Sequence, residues 1–262
     1  LVDAAGTDTW VVPSAGPDFG KLVDQAAVLR DYDFPITMVM PQRGACHPVG
    51  VARGVSLFAE KLGKPVLLYI KDEGYLPAQT VRALVDDGAV SLIKYAVVRE
   101  NPARDAYLSA LLQSVDSNRV VSGIGERPAI VHYRDFGLKS FTSGSVCVAP
   151  RGSMRLLQLL NEGLYDEAET VRASYLGLED CRDAISPIRV LHDAVTLSGT
   201  VRTLMPEMRD MAETRIGEIA TGVAMAMGAK GTMVGRAYIY GLGAGGDPTI
   251  GQPSRAPLRK TQ

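Results

Sequence analysis

The sequence predicts an α/β fold built from successive parallel βα units, and two observations carry that prediction. Short β-branched, apolar runs alternate with longer stretches whose apolar residues recur at helical spacing. The units repeat at about 25 residues, the length of a strand, a helix and their two short connections. A TIM-type barrel and a doubly wound sheet share that periodicity, and spacing alone leaves both open.

Six runs read as strands in order: Thr9 to Pro13, Ile36 to Met40, Pro65 to Ile70, Val90 to Val98, Val120 to Gly123 and Lys139 to Thr142. Between them, Asp18 stands where an N-cap is needed, its carboxylate able to accept from a free first-turn N–H of a helix over Phe19 to Arg30. Pro77 suits the first turn of a helix running through Ala78 to Leu84, because it has no N–H to leave unpaired. After Pro150 apolar spacing near 3.6 predicts helices over Met154 to Glu162, Tyr165 to Leu176 and Ile185 to Leu197. Residues 205 to 227 read as a further helix and Gly231 to Gly235 as a strand, whereas 246 to 262 are rich in Gly, Pro and charge and are expected to be poorly ordered. The organisation that follows is βα units over 1–150, a helical layer over 151–199 and an atypical, partly disordered tail over 200–262. The opening Leu-Val-Asp-Ala-Ala-Gly has no initiator Met and resembles the end of a helix, so the chain is expected to begin inside a larger domain.

At 262 residues and 46% hydrophobic, the chain can bury a sizeable core. A net charge of -1 without a basic stripe argues against a nucleic-acid partner, since phosphate binding needs clustered Lys and Arg. No apolar run approaches the roughly 20 residues needed to span a bilayer, and the start lacks the basic flank and apolar core of a secretory signal. A cytoplasmic protein without a membrane partner is expected. Cys46, Cys147 and Cys181 are odd in number and far apart, which predicts reduced thiols rather than disulfides or a zinc site.

Lys94 is the residue that most invites a chemical reading. It lies inside the apolar run Val90-Ser-Leu-Ile-Lys-Tyr-Ala-Val-Val98, where burying a charge is costly, so its pKa should fall, and a neutral amine is what attacks a ketone. A lysine at a strand end, snorkelling to water or paired with a carboxylate, fits the same run. Tyr69 ends the preceding strand and in a parallel barrel reaches the same C-terminal rim, where its phenol can relay protons; a core tyrosine with a wet tip is the plainer reading. The stretch Gly137 to Pro150 ends a strand in small hydroxyl residues and glycine, leaving room and N–H groups for a carboxylate or simply making a tight turn. Ser122-Gly-Ile-Gly-Glu126 divides the same way between close backbone approach and a turn. In Gln42-Arg-Gly-Ala-Cys-His47, Arg43 or His47 can reach the rim and meet a substrate carboxylate or hydroxyl, or belong to a solvated loop. Asp72-Glu73 has no His partner and reads as a solvated turn, and Tyr75 and Tyr95 read as packing.

Four ordered motifs add a family resemblance. Leu68-Tyr69, Ile93-Lys94, Phe141-Thr-Ser-Gly-Ser-Val-Cys-Val-Ala-Pro150 and Ile185-Ser-Pro-Ile-Arg-Val-Leu-His192 together resemble the dihydrodipicolinate synthase and N-acetylneuraminate lyase family, over about residues 1 to 199. The resemblance implies a TIM (β/α)8-type barrel, incomplete at its N-terminus because the match begins near the third strand, with C-terminal helices. It implies a Schiff-base lyase, an aldolase or dehydratase, acting on pyruvate or a related 2-oxo acid, with no metal or organic cofactor and a homo-oligomeric assembly. Lys94 takes the position of the imine-forming lysine and Tyr69 that of the proton-relaying tyrosine. Gly123 would lie by the imine, Ser143 matches the eighth-strand serine, and Arg43 is a further candidate for binding substrate.

Departures from the family pattern are equally specific. Its Gly-Thr-Thr-Gly-Glu motif does not occur in this sequence, Ile70-Lys-Asp-Glu-Gly-Tyr75 lacks the arginine that follows the tyrosine in dihydrodipicolinate synthases, and Cys147 replaces an asparagine. Residues 221 to 246 instead resemble the end of FMN-dependent 2-hydroxy acid dehydrogenases, in which Gly235-Arg236 would help hold the flavin phosphate, although no His-Gly-x-Arg-Gln motif accompanies them. An FMN oxidoreductase and a non-catalytic barrel fragment therefore stand as the alternatives to the lyase.

Overall fold

The structure, a computed structural model, describes residues 10–202 apart from 43 and 45. Five parallel strands lie side by side in chain order: β1 (Ser14–Ala15), β2 (Thr37–Val39), β3 (Val66–Ile70), β4 (Val90–Tyr95) and β5 (Val120–Ser122). A parallel bridge from Ser122 to Phe141 adds one more position beside β5. Sequential parallel order, with a helix carrying the chain back after each strand, is the pattern of a (β/α) barrel; a doubly wound sheet reverses strand order at a switch point, and this one does not. The described residues form an arc of such a barrel rather than a closed eight-stranded one.

The helices are α1 (Phe19–Arg30), α2 (Pro48–Leu62), α3 (Ala78–Asp86), α4 (Ala106–Ser114), α5 (Ala129–Arg134), α6 (Pro150–Glu162), α7 (Tyr165–Ala184) and α8 (Pro187–Arg202). Asp18 caps α1 as its position predicts, accepting from the Lys21 N–H at 3.2 Å. Pro77 caps α3 instead of occupying its first turn. Gly63 ends α2 in the left-handed conformation, φ 73°, which a side chain resists.

Three strand boundaries differ from expectation. The first strand is Ser14–Ala15, and Trp10, in the run that reads as a strand, is 66% exposed; its apolar character is not matched by burial. The fourth stops at Tyr95, since Val98 already lies 71% exposed beyond the paired region. Lys139 to Thr142 makes a single bridge, so its β pattern yields one pairing position only. The expected helix over 205–227 and strand over 231–235 lie outside the described residues, as do Gly235-Arg236 and the segment 246–262.

The described residues divide into two compact units, residues 10–146 with 151–173, and residues 147–150 with 174–202. Within the first, Leu68, Ile70, Ile93 and Tyr95 of the sheet pack with Phe58, Val81, Leu108 and Leu111 of the helices, each fully buried. A smaller cluster joins Ala129, Ile130 and Tyr133 of α5 to Leu156, Leu159 and Leu160 of α6. No helix among the described residues is long and apolar enough to cross a membrane.

Candidate active site

Strict alternation along β4 would put Lys94 on the same face as Val90, among the helices, because side chains two and four apart share a face. The register prevents this. Val66 pairs with Val90, but Leu67 pairs with Leu92, so Ser91 is an extra residue in β4. Such a bulge flips every later side chain to the other face. Leu92 and Lys94 then lie opposite Leu67 and Tyr69, half-buried, while Ile93 and Tyr95 take the fully buried positions.

Tyr69 and Lys94 are direct partners across this ladder, and the lysine Nζ stands 4.6 Å from the centre of the tyrosine ring. Burial lowers the lysine pKa below its ordinary value, with the nearby positive charge of Lys71 acting in the same direction. Contact with the ring face opposes that shift in part, since an aromatic face attracts the charged form. On the other side of β4, Val121 is the partner of Lys94, and the chain continues into Gly123. The Gly123 N–H donates to the Tyr95 carbonyl at 2.6 Å, drawing the backbone against the lysine stem. A Cβ at Gly123 would lie 2.8 Å from Lys94 Cγ, 2.9 Å from the Tyr95 oxygen and 3.0 Å from Ala96 Cβ. Glycine is thus required by the close packing around the lysine. Tyr69, Lys94 and Gly123 are brought together.

Ser143 occupies the segment that runs beside β5, held by Thr142 N–H to Ser122 O at 2.7 Å and Gly125 N–H to Thr142 O at 3.1 Å. Its hydroxyl donates to Glu126 Oε2 at 2.7 Å, while Ser153 of α6 donates to Oε1 at the same distance. Glu126 is fully buried. With its proton committed to a carboxylate and one lone pair accepting from the Val146 N–H at 3.3 Å, Ser143 offers a ligand one lone pair rather than a donor. The glutamate was not legible as anything but part of a turn; its burial is the only sign, and sequence does not carry it.

The remaining candidates fare differently. Arg43 lies outside the described residues. His47 caps α2, its Nδ1 accepting from the Val49 N–H at 3.3 Å. Glu73 is not simply solvated: it pairs with Arg99, which also donates to Asp105 Oδ1 at 3.1 Å. Asp105 is 3% exposed, caps α4 and accepts from the Tyr95 hydroxyl at 2.5 Å. Burial alone would raise its pKa, but the bonds from Arg99, the Leu108 N–H and Tyr95 overcome this and hold it below the usual carboxylate range. An Asp preceding an apolar helical run is a capping signal and could have been found. Tyr95 and Tyr75 pack as expected, at 0% and 7% exposure. Behind β5, buried His132 shares a hydrogen bond of 2.7 Å with the Ser122 hydroxyl, and burial pushes its pKa down to about 4. A small cavity of about 50 Å³ lies elsewhere, lined by Phe19, Leu22, Met40, Val51 and Tyr75 among others; neither Lys94 nor Tyr69 borders it, so it is not where an amine would meet a ketone.

No family model matches the sequence, and no curated protein matches it. Solved structures do. The chain superposes on dihydrodipicolinate synthase from Oceanobacillus iheyensis with a TM-score of 0.69 and 22% identity, over 84% of this chain and 76% of that one. The fold is that of the dihydrodipicolinate synthase barrel. A prophage protein of the dihydrodipicolinic acid synthase family from E. coli K12, solved in complex with pyruvate, matches at a TM-score of 0.64 and 16% identity, covering 81% of this chain and 77% of that one. A variant of the 2-keto-3-deoxygluconate aldolase of Sulfolobus solfataricus matches at 0.59 and 13%, covering 82% and 75%. Likeness to the dihydrodipicolinate synthase barrel at these identities fixes the architecture and chooses the barrel over the doubly wound sheet.

Proposed function

We infer that this chain is a Schiff-base-forming lyase of the dihydrodipicolinate synthase and N-acetylneuraminate lyase type, acting on pyruvate or a related 2-oxo acid. The observation that carries the reading is the pairing of Lys94 with Tyr69 on one face of adjacent strands, the amine over the ring and the stem packed on a glycine. The barrels of similar fold include a family member bound to pyruvate and an aldolase, which supports the same chemistry.

In this mechanism the neutral Lys94 amine adds to the keto carbon, and the carbinolamine hydroxyl takes up a proton, relayed from solvent, and leaves as water, giving a protonated imine. The cationic nitrogen draws electrons from C3. A proton is lost from C3 to give the enamine, or, in the cleavage direction, the C3–C4 bond breaks as a 4-hydroxyl loses its proton and an aldehyde departs. Protonation of the enamine and hydrolysis of the imine release the 2-oxo acid and restore the amine. Tyr69 carries the protons between substrate oxygens and solvent. Because Nζ stands over the ring face, its hydroxyl serves substrate atoms rather than the free amine. Gly123 keeps the space beside the imine, and Ser143 orients a substrate hydroxyl by accepting from it.

The test is exchange of the pyruvate methyl protons in heavy water, followed by NMR. Exchange above the spontaneous rate, abolished by Lys94→Ala and slowed by Tyr69→Phe, is expected. A folded protein that exchanges neither pyruvate nor several longer 2-oxo acids would contradict the reading.

A further inference from the structure

Resting on that reading of Lys94, we propose that Lys71 binds the carboxylate of the 2-oxo acid, making the site selective for keto acids over neutral ketones. Along β3, Leu67 and Tyr69 face the same side as Lys94, while Leu68 and Ile70 are fully buried on the other. Lys71 follows in the phase of Tyr69 and is exposed. The two strands are still paired there, since the Ala96 N–H donates to the Ile70 carbonyl at 2.8 Å. Lys71 therefore emerges at the C-terminal rim, on the Tyr69–Lys94 face, where a barrel presents its reacting groups.

Charge arrangement says which ion this rim accepts. Arg99, the cation beside Glu73, is held by two carboxylates, Glu73 and Asp105. Lys71 has no ion pair among the described residues, although Asp72 and Glu73 adjoin it in sequence. Its charge is felt at Lys94, where it favours the neutral amine. Two charged lysines on one face of adjacent strands repel each other, and an anion bound by both removes the conflict. The carboxylate of a 2-oxo acid is bonded directly to the carbon that Lys94 attacks, so one ligand meets both groups. Bound this way, the carboxylate also fixes which face of the ketone the amine approaches.

The experiment compares pyruvate with hydroxyacetone, a neutral ketone of similar size, by borohydride trapping of the adduct on Lys94 in the wild type, Lys71→Met and Lys71→Arg. A lost charge-assisted hydrogen bond predicts a rise of about 10- to 100-fold in the pyruvate concentration giving half-maximal trapping by Lys71→Met. Hydroxyacetone should change severalfold less than pyruvate in Lys71→Met, because it loses only the electrostatic bias toward the neutral Lys94 amine, and Lys71→Arg should recover most of the pyruvate affinity. A merely structural role would weaken both ketones by the same factor, and that result overturns the proposal, as does an unchanged pyruvate dependence. Trapping of neither ketone by the wild type would instead remove the imine reading, and the proposal with it.

Discussion

Replacing Gly123 by alanine probes the packing that aims Lys94. The added methyl would stand 2.8 Å from Lys94 Cγ, whereas non-bonded carbons sit at about 3.5–4.0 Å, so one of the two must yield by roughly 0.7 Å or more. The glycine side cannot easily retreat, because its N–H is bonded to the Tyr95 carbonyl at 2.6 Å and that oxygen is itself only 2.9 Å from the new atom. Overpacking of this kind costs about 1–3 kcal/mol. In a unit of about 150–250 residues, each kcal/mol lowers Tm by roughly 2–4 °C, which predicts a fall of about 2–12 °C. If Lys94 is the nucleophile, as proposed, a displacement near 1 Å there costs roughly a hundredfold in rate. Thermal melting and pyruvate methyl exchange measure the two effects, with Gly50→Ala as control, since nothing lies within 4 Å of a Cβ there. A Gly123→Ala protein that melts and exchanges like the wild type would refute the reasoning.

Two further outcomes follow from the groups behind the sheet. His132 has a folded-state pKa of about 4 against an ordinary 6.5, so between those values the unfolded chain binds a proton that the folded one does not. Its contribution, full above pH 6.5, is lost as pH falls through that window, by up to about 3 kcal/mol; urea titrations at pH 7 and pH 4 should show this loss reduced in His132→Asn, and identical pH slopes would contradict it. Tyr95→Phe removes the hydrogen bond to Asp105, which retains its bonds from Arg99 and the Leu108 N–H, and should lower stability by about 1–2 kcal/mol in the same assay. No change in stability would mean that solvent replaces the phenol.

How far this site was legible in the sequence depends on the kind of signal each residue leaves. Apolar periodicity located the βα units, and Asp18 marked the start of α1 because capping is a local matter. Lys94 and Tyr69 stood out as polar groups in apolar strands, but their common face was not readable from alternation. It depends on the bulge at Ser91, set by pairing with β3, a contact between segments far apart in sequence. The same holds for Glu126: a carboxylate in a Gly-rich turn looks solvated until α6 brings Ser153 to it. Trp10 erred in the opposite direction, apolar in type yet exposed. Lys71 leaves no signal in the sequence, because a charged residue after a strand is ordinary; only the phase of β3 gives it a direction.

The proposed lyase requires Lys94 to be the amine that condenses with a 2-oxo acid. The most direct measurement is peptide mass spectrometry after incubation with pyruvate and borohydride. One reduced pyruvate adduct per chain, carried by the peptide containing Lys94 and absent from Lys94→Ala, is the predicted result. An adduct spread over surface lysines or retained in Lys94→Ala, or no adduct in folded wild-type protein, would contradict it.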